Sequence, residues 1–398
     1  MKSRWPCFTD DEISAVSCVL RSGRVNAWTS DEVSLFERDF GEYVNIEHCI
    51  AVSNGTVALE LALRALGVGF GDEVIVTPRS FVASASCVLG VGAIPVFADI
   101  DSVSGNLSAQ SIARCISSKT KAVVCVHLAG WPADMKAIIG LASKHGFMVV
   151  EDCSQAHGAR IDDQPVGAFG SIATWSFCQD KIISTGGEGG MVATSCPELA
   201  KHVWELKDHG KDFIESRLGN SGQGYRWIHK SYGSNYRMLP LQAAIGRYQL
   251  ANLDARVKRR RENAQLFSDT IAGSEFSSEL ICVPKVPVNL YHSYYKFYIY
   301  LKRETKLIAA REQLIKILND KEVGVSFGSC PELYCEGVFS NLGLKSGFCP
   351  EAHLLGQVSL MFEIDHTLST SDIRLNANLL NEALERVVGD DLCESRNF

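Results

Sequence analysis

The sequence predicts an α/β protein in which a mostly parallel sheet, flanked by helices, is followed by a smaller α/β domain. Between residues 48 and 195, short apolar runs alternate with amphipathic segments, as expected for strands covered on both faces. From about residue 240 this alternation gives way to a long helical pattern. A chain of 398 residues is also too long for one small core. We therefore expect a large domain over residues 1–260 and a small C-terminal domain over residues 261–398.

The predicted elements follow one another in a regular order. The predicted strands are "HCIAVS", "DEVIVTP", "IPVFADI", "KAVVCVHLAG", "FMVVEDC" and residues 172–177. The predicted helices between them are "GTVALELALRAL", "FVASASCVLG", "SAQSIARCIS" and "DMKAIIGLASKHG", the last closed by Gly146. After residue 238, "LPLQAAIGRYQLANLDARVKRRRENAQLF" reads as one long helix. The strand "YYKFYIYL" and the helices "REQLIKILNDKE" and "SDIRLNANLLNEALERVV" complete the small domain.

Composition argues against nucleic-acid and membrane partners. The formal net charge is −7, and the basic run at residues 258–261 falls in a helical pattern, where we expect a solvated helix face. The N-terminus "MKSRWPCFTDDEISAV" has acidic residues where a signal peptide needs an apolar core. No apolar run reaches transmembrane length. The fourteen cysteines are scattered without a CxxC pair, which favours free thiols and a cytoplasmic protein without a metal site.

Ligands of such sheets collect at the carboxyl ends of the strands. The residues at these predicted ends are Asn54–Thr56, Pro78–Phe81, His127, Asp152–Gln155 and Ser176–Lys181. The chemistry of the protein is therefore expected at this edge of the sheet.

Two of these segments allow more than one interpretation. The run Asn54-Gly55-Thr56 opens a helix, so its amides and hydroxyl suit a phosphate, but Asn54 or Thr56 could equally be an ordinary N-cap. Asp152 ends an apolar strand and needs a partner, which could be a ligand, a helix terminus or a structural cation. Gln155, three residues later, can reach the same space.

Lys181 follows the next apolar strand and precedes the glycine run "GGEGG". A partly desolvated lysine amine is a nucleophile toward carbonyl groups, although a lysine in a loop is more often an exposed surface residue. A P-loop has its lysine after the glycines and before a helix, whereas here the lysine comes first and a strand follows. The dinucleotide fingerprint GxGxxG is absent after the first strand, where "VSNGTVA" stands.

Together these groups suit pyridoxal phosphate. The cofactor's aldehyde reacts with a lysine, its ring nitrogen pairs with an acid, its ring needs a flat cover, and its phosphate needs amide and hydroxyl donors. The candidates for these four functions, in the same order, are Lys181, Asp152, Phe81 and the group Gly55, Thr56 and Ser176.

At this point the motifs resemble those of the DegT/StrS-type sugar aminotransferases, which are pyridoxal-phosphate enzymes of fold type I. The matching segments include "SNGTVALELALRALGVGFGDEVIVTPRSFVASA", "VVEDCSQAHGA", "GSIATWSFCQDKIISTGGEGGMV", "KDHG" and "NYRMLPLQAAIGRYQL". They fall between residues 35 and about 260. One departure is the glycine run after Lys181, which is one residue longer than is usual in the family.

The resemblance implies a role for each matching residue. Lys181 would hold the cofactor covalently and carry the proton during transfer, Asp152 would pair with the ring nitrogen, and Gln155 would face the phenolic oxygen. Phe81 would cover the ring.

The phosphate contacts implied by the resemblance come from two subunits. Gly55, Thr56 and Ser176 would hold the phosphate within one chain. Asn235, in "SNYRM", would reach the phosphate of a neighbouring subunit, which implies a homodimer with shared active sites.

The implied activity is transfer of an amino group from glutamate to the C3 or C4 ketone of a nucleotide-linked deoxysugar. The product would enter a surface polysaccharide, a lipopolysaccharide or a glycosylated metabolite. His127, His209 and Tyr225 are candidates for contact with the sugar, although a histidine of this kind is also common in a core. Two alternatives remain, a pyridoxal-phosphate enzyme for another keto acid or amine and a non-catalytic regulatory member of the family.

Overall fold

The computed structural model describes residues 1–218, 226–302 and 306–394, which form a seven-stranded, a four-stranded and a three-stranded sheet. The strands are β1 His48–Val52, β2 Glu73–Val76, β3 Ile94–Phe97, β4 Thr120–Val126, β5 Met148–Asp152, β6 Arg160–Ile161, β7 Gln164–Pro165, β8 Ile172–Ser176, β9 Gly190–Thr194, β10 Ile281–Cys282, β11 Leu290–Tyr291, β12 Phe297–Leu301, β13 Val325–Ser326 and β14 Ser359–Phe362.

Helices surround these sheets. The α-helices are α1 Asp10–Ser22, α2 Glu32–Val44, α3 Gly55–Ala65, α4 Ala83–Gly90, α5 Ala109–Cys115, α6 Met135–His145, α7 Pro197–Lys207, α8 Pro240–Ala251, α9 Leu253–Ala272, α10 Glu275–Leu280, α11 Arg311–Asp320, α12 Pro350–Val358 and α13 Thr370–Glu394. Short 3₁₀ turns lie at Leu128–Gly130, Lys306–Ile308, Leu333–Cys335 and Gly337–Leu342.

The large sheet has the strand order β1-β9-β8-β5-β4-β2-β3. Strand β2 pairs in parallel with β3 and β4, β4 with β5, and β5 with β8. Only β9 runs against its neighbours β8 and β1. The predicted mostly parallel sheet flanked by helices is therefore confirmed.

The apolar character of these strands follows from their burial. Every residue of β8 and β9 is buried, because α3 packs on one face of both strands and apolar side chains cover the other. Trp175 of β8, for example, meets Phe40 of α2 edge to face with ring centroids 5.1 Å apart. Such edge-to-face pairs add to the burial of the aromatic surface itself.

The four-stranded sheet is antiparallel and has the order β10-β12-β14-β13. Its hydrophobic core is continuous with that of the large sheet. Phe97 of β3 touches both Tyr334 and Phe339, with ring centroids 5.5 and 5.3 Å apart. Helix α9 runs through residue 260, so the proposed domain division at that residue stays a prediction.

The structure corrects two expectations about the segment after residue 238. The predicted single helix is broken at Asn252, whose φ and ψ are −103° and 3°. The Asn252 side chain donates to the Tyr248 carbonyl at 2.9 Å, and this kind of side-chain bond competes with helical continuation. The basic run is also not uniformly solvated, because Arg260 is only 1% exposed. Its guanidinium instead donates to backbone carbonyls, as described below.

Two further expectations concern the chain as a whole. None of the helices in the described residues is long and apolar enough to cross a membrane. The cysteines that the structure describes all carry free thiols, as their scattered positions predict. Four of them are buried: Cys87, Cys125, Cys153 and Cys349.

Candidate active site

A cavity of about 510 Å³ opens at the carboxyl ends of the strands of the large sheet. Most of the residues that the sequence singled out line it. They are Asn54, Gly55, Thr56, Phe81, Asp152, Gln155, Ser176 and Lys181. Because these residues come from four different strand ends, the sheet topology brings them together.

One wall of the cavity is the first turn of α3. The Asn54 side chain caps this helix by accepting from the Val57 amide at 2.9 Å. Gly55 packs so closely on β8 that a Cβ added to it would lie 2.5 Å from the Cβ of Ser176. Asn54 is thus an N-cap. The same turn presents helix-terminal amides and the Thr56 hydroxyl to the cavity, and β8 adds Ser176 to the same wall, which suits an anion.

Asp152 is a buried acid without a cation beside it. Its side chain accepts from the Ser84 hydroxyl at 2.8 Å and from the Ser154 amide at 3.1 Å, and the residue is 3% exposed. Within the described ranges, no lysine, arginine or histidine lies within salt-bridge distance of this carboxylate. Burial of an unpaired carboxylate is costly, so Asp152 is suited to a cationic ligand atom in the cavity.

Two neighbours of Asp152 shape the same space. The Gln155 side-chain oxygen accepts from the Ala129 amide at 2.8 Å, which fixes the orientation of its amide group. Phe81 lines the cavity yet is 64% exposed. An apolar ring with an uncovered face suits the packing of a flat ligand.

Lys181 projects into the cavity from the loop after β8. Its side chain is 14% exposed, and its Nζ lies 3.5 Å from Asp180 Oδ2. The Tyr295 hydroxyl is 3.4 Å from the same nitrogen, and the Trp5 indole donates to the Lys181 carbonyl at 2.7 Å. The amine therefore has a defined position beside a carboxylate and a phenol.

Sequence reasoning missed Asp180, Tyr295 and Trp5. Asp180 adjoins Lys181 and could have been noticed as an acid next to the reactive amine. Tyr295 and Trp5 are distant in sequence, and only the tertiary fold brings them to this loop.

The surroundings of the two partners of Lys181 keep one of them charged and the other neutral. Burial acts to raise the pKa of the Asp180 carboxyl, but the Lys181 charge and the Tyr295 hydroxyl outweigh it and hold that pKa below its ordinary value. Burial, reinforced by the Asp180 charge, raises the pKa of Tyr295 well above its ordinary value. Asp180 is thus a carboxylate and Tyr295 a neutral hydrogen-bond donor.

The glycines after Lys181 allow backbone conformations and close contacts that other residues would prevent. Gly186 and Gly187 have φ values of 89° and 125°, which residues with a Cβ rarely adopt. The Gly187 carbonyl accepts from the Gln179 amide at 3.0 Å and closes the turn. A Cβ on Gly190 would collide with the Asn54 carbonyl, so this glycine lets β9 approach the start of α3.

His127 occupies the core and is not among the described residues lining the cavity. It is 0% exposed; its Nδ1 accepts from the Ala133 amide at 3.0 Å and its Nε2 lies 3.1 Å from Glu151. Its predicted contact with a substrate does not fit this placement, because both ring nitrogens are engaged. Cys153 completes a compact group with these two residues, but Glu151 also accepts from the Gly167 amide at 2.8 Å, so the side chains of His127 and Glu151 are already engaged in hydrogen bonds.

The remaining candidate residues lie away from this cavity. His209 is exposed, and its carbonyl accepts from the His229 ring at 2.8 Å. Asn235 is also exposed and forms a backbone bridge with Asp208, so both residues face outward from this chain. Tyr225 lies outside the described residues.

Comparison with known proteins places this geometry in a family. The sequence profile of the DegT/DnrJ/EryC1/StrS aminotransferase family matches residues 6–377. The chain is 36% identical to GDP-perosamine synthase of Vibrio cholerae over 75% of its length and 77% of that protein. It is 34% identical to a pleiotropic regulatory protein of Geobacillus stearothermophilus over 86% of each chain. A solved aminotransferase from Psychrobacter cryohalolentis superposes with a TM-score of 0.91 at 44% identity, covering 98% of this chain and 99% of that one.

The chain therefore belongs to the DegT/DnrJ/EryC1/StrS aminotransferase family and has the fold of the type I pyridoxal-phosphate enzymes. The cofactor of this class is pyridoxal phosphate, and the cavity fits it. The close packing of Gly55 leaves room for a phosphate at the start of α3. The buried Asp152 carboxylate can pair with a cationic ring nitrogen, and Lys181 lines the same cavity. When bound, the cofactor supplies an aldehyde for the amine and a ring that accepts electrons.

Proposed function

We propose that this protein transfers an amino group from glutamate to the C3 or C4 ketone of a nucleotide-linked deoxysugar. The observation that carries the proposal is the meeting of the Lys181 amine, the unpaired Asp152 carboxylate and the first turn of α3 in one cavity. The similarity to GDP-perosamine synthase supports a sugar substrate. The product would serve the synthesis of a surface polysaccharide, a lipopolysaccharide or a glycosylated metabolite, in the cytoplasm.

Each cavity residue then has one role. Lys181 would hold the cofactor covalently and, when not bonded to it, would carry a proton at Nζ. Asp152 keeps the ring nitrogen protonated, and Ser84 and Ser154 hold the carboxylate in place for this. Gln155 faces the phenolic oxygen and Phe81 covers the ring.

The phosphate is held by the first turn of α3 and by β8. Gly55 and Thr56 provide the helix terminus, and Ser176 provides a hydroxyl. We further propose that Asn235 reaches the phosphate of a partner subunit in a homodimer. Its exposure on this chain, away from its own cavity, is consistent with such a contact. His209, exposed in the same region, is proposed to touch the sugar across that interface.

Complementation between variants tests the shared site. Lys181→Ala and Asn235→Ala are each expected to be inactive alone. In a mixed dimer, one of the two sites would combine an intact Lys181 with an intact Asn235, so random mixing should restore about a quarter of the wild-type activity, as two-fold symmetry requires. No restored activity in mixtures that do exchange subunits would contradict the shared site.

A regulatory function is the second candidate, and the similarity to the Geobacillus protein favours it. The two functions differ in turnover. A regulator of this fold would bind ligands without consuming glutamate, whereas a transaminase converts glutamate to 2-oxoglutarate in proportion to the aminated sugar. The complete set of cavity groups around Lys181 supports the transaminase.

The decisive experiment combines purified protein, pyridoxal phosphate and glutamate with nucleotide-linked 3-keto and 4-keto sugars. We expect 2-oxoglutarate and an amino sugar in equal amounts, and a visible absorbance band from the lysine-bound cofactor. Lys181→Ala should lose both the band and the turnover. Turnover with free keto acids alone would point to a different transaminase, and an intact band without any turnover would point to the regulatory function.

A further inference from the structure

The amine of Lys181 has two polar neighbours to which the proposed function assigns no role. Its Nζ lies 3.5 Å from Asp180 Oδ2 and 3.4 Å from the Tyr295 hydroxyl, and 4.9 Å from the centroid of the Tyr295 ring. We propose that Asp180 and Tyr295 are positioning residues that hold the ammonium form of Lys181 at this wall whenever the amine is not bonded to the cofactor. The inference rests on the role of Lys181 proposed above.

The pair is fixed independently of the lysine. The Tyr295 hydroxyl donates a hydrogen bond to Asp180 Oδ2, and Tyr295 is 8% exposed. Behind it, the Arg260 guanidinium donates to the backbone carbonyls of Tyr294 and Tyr295, both at 3.2 Å. Burial lowers the pKa of Arg260 to about 10, which still leaves it charged at neutral pH. The tyrosine is therefore anchored from the core, and it in turn orients the carboxylate.

The charges of the pair suit an ammonium group. Asp180 is ionised and Tyr295 is neutral, for the reasons given above. The Tyr295 ring also presents its face near Nζ, and an aromatic face attracts a cation. A carboxylate at this distance also attracts a cationic side chain, so the pair holds the nitrogen of Lys181 in place.

Other titratable groups surround this arrangement. The groups near Lys181 or Tyr295, besides Asp180, are His157, Cys178, Lys296, Arg260, Asp152 and Glu188. Burial, followed by the Lys181 charge, lowers the pKa of His157 to about 3, so its imidazole is neutral at physiological pH. Lys296 pairs with Glu363 at 3.7 Å. Of the acids in the described ranges, Asp180 alone lies within salt-bridge distance of Lys181.

For catalysis, the pair would fix the position of the Lys181 amine. A lysine released from the cofactor has a long flexible side chain and would otherwise sample many rotamers. A fixed pair beside Nζ limits the excursion of the amine and returns it to the same place in each cycle. Asp180 and Tyr295 would act through Lys181 and not on the substrate.

The test measures Lys181 without any cofactor. Full-length, cofactor-free protein is treated with acetic anhydride at neutral pH, and the acetylation rate of Lys181 is followed by mass spectrometry of its peptide. An amine held in an ion pair is less accessible to the reagent than a released one. Asp180→Asn removes this ion pair, so the rate should rise about fivefold, the effect of a partly exposed ion pair. Asp180→Glu keeps the charge and should retain the wild-type rate.

Two further readouts separate charge from packing. In the wild type, added salt should raise the rate because it screens the ion pair, whereas Asp180→Asn should be insensitive to salt. Tyr295→Phe leaves the carboxylate charged but unanchored, so we expect a smaller rise than in Asp180→Asn. The matched control is Tyr294→Phe, whose ring stacks on His292 with centroids 3.8 Å apart, and it should behave as the wild type.

An unchanged rate in Asp180→Asn would overturn the proposal. Equal acceleration in Asp180→Asn and Asp180→Glu would also overturn it, because disturbed packing alone would then explain the effect. These outcomes are independent of the covalent role of Lys181, which is judged by the absorbance band of the holoenzyme in the wild type and in Lys181→Ala.

Discussion

Gly55 and Ser176 are packed so closely that no side chain fits between them: a Cβ on Gly55 would lie 2.5 Å from the Ser176 Cβ and 3.1 Å from its Cα. Gly55→Ala must therefore push α3 away from β8 and widen the proposed phosphate site. Overpacking of this kind costs about 1–3 kcal/mol, so the affinity for pyridoxal phosphate should fall about tenfold or more. The affinity is measured by titrating the visible absorbance of the bound cofactor.

Gly140→Ala is the matched control for this substitution. Gly140 lies inside α6, and a Cβ there would meet nothing within 4 Å. Its cofactor affinity should equal that of the wild type. Normal cofactor affinity in Gly55→Ala would show that this close approach does not shape the proposed phosphate site.

Asp152→Asn tests the buried acid. The amide keeps the size of the side chain but removes the negative charge, and we expect the kcat of transamination to fall roughly a hundredfold, as for loss of an electrostatic group in an active site. Ser84→Ala removes one donor to the carboxylate and leaves its charge, so its effect should be about tenfold or less. Equal losses in both variants would assign the effect to local structure, since only one of them changes the charge.

Gly187→Ala tests the turn behind Lys181. Gly187 has a φ of 125°, and an alanine forced into this region is strained by about 1–3 kcal/mol. The free energy of unfolding, from urea denaturation, should fall by that amount. Gly69→Ala, in a loop where a Cβ meets nothing within 4 Å, should be close to neutral. Undiminished stability in Gly187→Ala would show that the turn relaxes without cost.

Glu332→Gln should alter the pH dependence of stability. Burial acts to raise the pKa of Glu332, but hydrogen bonds from Tyr334, Gly347, His353 and Ser346 lower it to about 2, from an ordinary value of 4.5. A carboxyl with a lowered pKa stabilises the fold above its unfolded pKa, and this contribution is lost as the pH falls from about 4.5 toward 2.

At neutral pH we therefore expect Glu332→Gln to lower the free energy of unfolding by roughly 2 kcal/mol, the worth of hydrogen bonds to a charged group. The difference from the wild type should shrink as the pH approaches 2. Denaturation curves across this range provide the measurement, with the exposed Glu279→Gln as control. A difference that stays constant with pH would contradict the assignment.

The sequence was sufficient for the features that depend on local pattern. Apolar runs predicted the strands of the large sheet, and the polar residues that follow those runs, such as Asp152 and Ser176, do meet at one edge. The sequence did not predict the features that depend on contacts between distant parts of the chain. Tyr295 reaches Lys181 from more than 100 residues away, which no local pattern encodes. Likewise, the apolar periodicity ran through Asn252, whereas its side-chain bond to a carbonyl interrupts the helix there.

The pairing of β1 with β9 also bears on when the site forms during synthesis of the chain. Strand β1 ends at Val52, but its partner Gly190 and the Tyr236 carbonyl that accepts from the Ser53 amide come far later in the chain. During synthesis, the first turn of α3 would leave the ribosome long before Gly190 and Tyr236 are made. The first turn of α3 should consequently gain its final surroundings only after Tyr236 has been synthesised, and we expect cofactor capture to follow that point.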